Sequence, residues 1–93
     1  MWLWLVATAK RDATSAAIEE RRRAWVAEGK ARQLAARCRF AQRYLVERHS
    51  PARVFWLLET DDRGAVELIT GHFGGLWDIA VHDVTPQAIG PAA

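Results

Sequence analysis

The chain has 93 residues, one domain at the small end of the usual range, and such a domain buries only about 60–65% of its unfolded surface. Hydrophobic residues make up 51% and there are five tryptophans, a heavy apolar load for so thin a core. A net charge of +2, with eleven of the thirteen bases arginine, falls well short of a nucleic-acid tail or polybasic membrane anchor. The single cysteine, Cys38, excludes an intramolecular disulfide and a cysteine-rich zinc module.

The opening run Trp2-Leu3-Trp4-Leu5-Val6-Ala7 predicts a strand over residues 2–9, ended by Lys10-Arg11-Asp12. It is too short for a transmembrane helix and lacks the layout of a signal peptide, so a cytoplasmic protein is expected. Asp12, Thr14 and Ser15 are candidate N-caps for a helix running to Glu28. Thr14, Ile18, Trp25 and Gly29 share a narrow arc of that helix. Arg22 falls on the same arc, which suits it only if its stem packs and its head reaches solvent. Gly29 reads as the C′ residue, with 30–36 a short helical or irregular return.

A second strand is predicted over 37–47, with Arg37, Arg39, Ala41, Arg43 and Leu45 on one face and Cys38, Phe40, Gln42, Tyr44 and Val46 on the other. His49-Ser50-Pro51 forms the turn of a hairpin. Its partner is a third strand over 53–60, Arg-Val-Phe-Trp-Leu-Leu-Glu-Thr. Asp61 or Asp62 caps a helix over 63–74, whose apolar arc is Ala65, Val66, Leu68, Ile69, Phe73 and Leu76; Gly74-Gly75 ends it. A fourth strand covers 78–84, leaving 85–93 as a tail or arm outside a single domain of residues 1–84.

The order β-α-β-β-α-β is a ferredoxin-like α+β layout, an antiparallel sheet with two helices on one face. The first and third strands are central in that topology, and they are also the runs that fail to alternate. A strand apolar on both faces needs a cover on each. Helices supply one cover, and a second copy of the chain is expected to supply the other by homodimerisation.

The stretch Val54-Phe55-Trp56-Leu57-Leu58-Glu59-Thr60-Asp61-Asp62, with Gly71-His72-Phe73-Gly74-Gly75-Leu76-Trp77-Asp78-Ile79-Ala80-Val81, resembles the dimeric α+β barrel superfamily. That group includes muconolactone isomerase, the YCII-related domains and the small antibiotic-biosynthesis monooxygenases, in which two ferredoxin-like sheets pack face to face. His72-Phe73 is similar to a His-Phe pair that several of the monooxygenases carry. Residues 30–53 depart from the isomerase, so the resemblance implies a fold and a pocket rather than a reaction.

Candidate catalytic residues are His72 at the margin of the second helix's apolar arc, His82 on the last strand, and Glu59 at the end of the third. Glu59 serves equally well as the ion-pair partner of a second-strand arginine. Arg39 and Arg43, with Arg37, have the side chains to hold a carboxylate or phosphate bidentately. Trp4, Tyr44, Phe55 and Trp77 are candidates for an aromatic pocket wall, although core or dimer packing is the ordinary use of each. His49 reads as a turn residue. No metal motif, phosphate loop or nucleophile elbow occurs, and no cofactor is implied. The glycine-aromatic pattern of RNA-binding ferredoxin-like sheets is missing as well. The expected function is a cofactor-independent isomerase, cyclase or monooxygenase acting on a small, mostly apolar metabolite; the alternative is a non-catalytic binding or interaction dimer. Neither nucleic acid nor membrane is an expected partner.

Overall fold

A computed structural model describes residues 1–90, so positions 91–93 of the predicted tail lie outside the described residues. Four strands, β1 (Trp2–Ala9), β2 (Phe40–Leu45), β3 (Arg53–Glu59) and β4 (Trp77–Val84), form one antiparallel sheet in the order β2-β3-β1-β4. Three helices, α1 (Ser15–Ala27), α2 (Lys30–Arg37) and α3 (Gly64–Phe73), complete the ferredoxin-like α+β architecture. As expected, the two strands without alternation are the central pair, in register from Trp2 opposite Glu59 to Thr8 opposite Arg53.

Burial follows the pleat. Leu3, Leu5, Ala7 and Ala9 of β1 and Val54, Trp56 and Leu58 of β3 point under the helices and are buried. They meet Trp25 of α1, Leu34 of α2, and Ala65, Ile69 and Phe73 of α3 in a single core. The residues between them on β1 and β3 are only half-buried, because the three helices lie on the other side of the sheet.

Local signals account for the helix ends. The Thr14 hydroxyl caps α1 by accepting from the Ala17 amide at 3.1 Å. Gly29 has φ of +75°, the left-handed conformation that lets the chain turn directly from α1 into α2. The Asp62 carboxylate accepts from the Gly64 amide at 2.8 Å at the start of α3.

One alternative is settled and one expectation needs correction. Residues 30–37 take the helical of the two forms expected for the return after Gly29, a third helix beside the two of the basic layout; Lys-Ala-Arg-Gln-Leu-Ala-Ala-Arg is rich in helix formers and buries Leu34. The second strand therefore starts at Phe40, not at residue 37. Arg37 closes α2, Arg39 precedes the strand, and only Arg43 lies within it, so the expected row of three arginines on one strand face does not exist.

Candidate functional site

The uncovered face of the sheet is a continuous aromatic surface. Cross-strand register places Trp2, Trp4 and Val6 of β1 beside Phe55 and Leu57 of β3, with Phe40 and Tyr44 of β2 on one flank. Ala80, His82 and Val84 of β4 lie on the other flank, His82 directly opposite Trp4. The rings touch one another: Trp4 and Phe55 are 4.9 Å apart between centroids, Trp2 and Phe40 5.6 Å, and Trp4 and Tyr44 6.5 Å. Phe40, Tyr44 and Val84 are nonetheless exposed.

Glu59 ends this face as an ion-pair partner. Arg39 donates to both carboxylate oxygens of Glu59, the Met1 amine donates at 2.7 Å, and Arg39 continues to Asp61 at 3.0 Å. The Arg39 hydrogen bonds, then that of the amine, hold the Glu59 carboxyl down to about 2. A carboxylate so stabilised is a feeble proton acceptor at neutral pH, which removes the reason for assigning it a base's role. The salt-bridge use weighed for Glu59 from the sequence matches this geometry.

His72, Trp77 and Arg43 lie on the opposite, helix-covered side. His72 is 4% exposed and packs between Trp25 (5.4 Å) and Phe73 (4.7 Å). Its Nε2 lies 2.8 Å from the Arg21 carbonyl oxygen and its Nδ1 3.0 Å from Lys30 Nζ. A carbonyl only accepts and an ammonium only donates, so Nε2 carries the proton and Nδ1 presents its lone pair. Both ring nitrogens are thus engaged in tying α3 to α1 and α2, and His72 does not open onto the uncovered face. Trp77 is buried opposite Ala9 as part of the core.

Arg43 borders a cavity of about 660 Å³ between α1, α2 and the β2 side of the sheet. The floor is aromatic. Trp25 meets Trp56 edge-on at 5.8 Å, and Phe73 lies 5.1 Å from Trp25 and 5.9 Å from Trp56. Val26, Ala31 and Leu34 supply aliphatic wall, and Glu19, Arg22 and Arg23 of α1 form the polar rim. The Arg43 guanidinium stands 5.9 Å from the Trp56 ring centre, at the outer limit of a cation–π contact. Burial, followed by the nearby charge of Arg22, lowers the proton affinity of Arg43, and Glu19 opposes this.

Of the sequence-predicted site residues, the structure gathers Trp4, Tyr44, Phe55 and His82 on the uncovered face, and places Glu59 and Arg39 together at one end of it. Sequence reasoning missed the cavity beside Arg43, although its signal was present: Arg22 on an otherwise apolar arc of α1 marked a cation at the edge of a greasy site. Among the described residues no three His, Cys, Asp or Glu side chains are grouped to hold a metal ion. No helix among them is long and apolar enough to cross a membrane.

No protein-family model and no curated protein matches the chain. Solved structures do share its fold. An Arabidopsis thaliana protein superimposes with a TM-score of 0.57 at 19% identity, over 97% of this chain and 98% of its own. A Pseudomonas aeruginosa protein gives 0.56 at 18% identity, over 94% of both chains. A Deinococcus radiodurans protein described as a candidate antibiotic biosynthesis monooxygenase gives 0.54 at 13% identity, over the full length of both. At such identities the likeness concerns the fold alone, which agrees with the ferredoxin-like layout read from the sequence.

Proposed function

We propose that this chain works as a homodimer, closed over the aromatic sheet face, that binds a small, mostly apolar metabolite in the cavity between its helices and its sheet. The cavity carries the reading: about 660 Å³ over Trp25, Trp56 and Phe73 lies within the range of about 300–1,000 Å³ typical of small-molecule sites. The dimer follows from the other side of the sheet. Five aromatic side chains sit together there, and monomers rarely leave a contiguous apolar patch of more than a few hundred Å² in water. A twofold axis lets that patch cover itself.

In this arrangement Trp4, Tyr44, Phe55 and His82 serve the dimer, Arg43 serves the ligand, and Trp77 backs the cavity floor. The second reading is enzymatic. The cavity rim holds one carboxylate, Glu19, and no histidine, which disfavours isomerisation or cyclisation driven by a buried base. Cofactor-independent oxygenation asks less of the protein: an electron-rich ring reduces oxygen itself, and the site binds, orients and excludes water. The description of the Deinococcus radiodurans neighbour is consistent with that chemistry.

Two measurements test the proposal. Sedimentation equilibrium at micromolar concentration should return twice the chain mass of 10.5 kDa. NMR titration with a panel of small aromatic compounds should shift the Trp25 and Trp56 indole signals; an unresponsive pair of indoles overturns the cavity reading, and a compact monomer overturns the dimer.

A further inference from the structure

We infer that the molecule bound in this cavity is an oxyanion-bearing aromatic, its flat ring on the Trp25–Trp56–Phe73 floor and its carboxylate or phosphate against Arg43. The inference rests on the cavity reading and adds the class of ligand.

Burial and charge pairing together single out Arg43: Arg11, Arg21, Arg23, Arg32 and Arg48 also lack an acidic partner among the described residues but are exposed, and half-buried Arg53 donates to the Thr8 hydroxyl at 3.1 Å. Arg39 is paired with Glu59 and Asp61, Arg37 with Asp62, Arg63 with Asp83, and Arg22 with Glu19. Arg43 is half-buried and has no acidic partner within ion-pair distance among the described residues. Partial burial of a cation strips it of water, and a missing counter-charge leaves that loss uncompensated. The face of Trp56 offsets some of it, but a ring offers neither of the two acceptors that a guanidinium fork is shaped to meet. An oxyanion supplies both.

The surroundings reinforce the sign. Arg22 and Arg23 border the same cavity with Glu19 as the only acid. Glu19 is half-exposed and already 3.5 Å from Arg22 Nη1, so the cavity keeps an excess of positive charge. Arg22 and Arg43 also both line a small adjoining crevice of about 10 Å³ with Phe73, Trp77 and Ile79. Both cations therefore border the cavity on its inner side, with Arg43 the half-buried one and, among the described residues, free of an ion pair. The remaining wall is apolar and aromatic, which suits a ring rather than a sugar or a peptide. Arg43 stands on a strand, so its stem starts from a fixed backbone position.

The test uses matched probes on the full-length protein by isothermal titration calorimetry: 2-naphthoate, 2-naphthyl phosphate and the neutral naphthalene-2-carboxamide. At least one of the two anions should bind at least tenfold more tightly than the amide, and whichever is preferred identifies the anionic group. Arg43→Gln should erase the anion's advantage over the amide; Arg43→Lys, which keeps charge but loses the fork, should fall between. An amide equal to both anions in the unsubstituted protein overturns this inference and leaves the cavity reading standing. If no probe binds, both fall. Should Arg43→Gln misfold, Arg43→Lys and the probe series in the unsubstituted protein still decide the matter.

Discussion

Replacing His72 with alanine separates a structural tie from a catalytic group. The imidazole is buried among Trp25 and Phe73 and spans α1 and α2 through the Arg21 carbonyl and the Lys30 ammonium. Removing a buried ring leaves a void, and comparable truncations cost about 3–5 kcal/mol; imidazole is smaller than phenyl, which places the packing loss near the lower limit. The freed Arg21 carbonyl adds roughly 1 kcal/mol, while Lys30 recovers water and keeps Glu28 at 3.2 Å. The expected total is about 3–4 kcal/mol, a large share of the roughly 5–14 kcal/mol available to a chain of this length. The melting midpoint should fall by about 15–25 °C. His72→Phe, which keeps the ring and loses the polar contacts, should cost only about 1–3 kcal/mol. Urea unfolding of both variants, followed by tryptophan fluorescence, checks the figures. If His72→Ala unfolds within about 0.5 kcal/mol of the parent, the tie described here is wrong and a chemical role for His72 returns.

Three further outcomes are expected. Glu59 titrates at about 2 in the folded chain, below the unfolded value of about 4.3, so its contribution is fully present above that unfolded value and is lost as pH falls toward 2. Glu59→Gln should therefore flatten the dependence of the urea midpoint on pH between 5 and 2, and an unchanged slope refutes the assignment. Trp4→Thr removes a half-buried ring from each protomer; with about 60 Å² per copy at roughly 25 cal/mol/Å², dimer affinity should weaken by about a hundredfold in sedimentation equilibrium. Gly29→Ala forces a β-carbon onto a residue with φ of +75° and should cost about 1 kcal/mol in thermal unfolding without altering ligand binding.

How far the site was legible from the sequence depends on the strand that carries each residue. Trp4 and Phe55 stand on central strands, where both neighbours are hydrogen-bonded and the hydrophobic pattern sets one register. Their placement on a common face follows from alternation alone. Arg39 and Arg43 belong to the edge, where the period-2 pattern of residues 37–47 was as regular as a strand's yet began inside a helix. His72 sat at the margin of its helical arc, and the arc cannot reveal that Arg21 and Lys30, distant in sequence, wait on the other side.

Order and type of the elements are written in the chain itself, because periodicities of 2 and 3.6, caps such as Thr14 and breakers such as Gly74-Gly75 act between near neighbours. The doubly apolar character of β1 and β3 likewise announced the centre of the sheet. What folding alone decided is which cation meets which partner. Arg39 reached Glu59 across the β2–β3 pairing while Arg43, four residues on, turned under the helices and found an aromatic floor but, among the described residues, no acid within ion-pair distance. Such outcomes arise from contacts between segments remote in sequence, where one residue's shift in strand register moves a side chain to the other face.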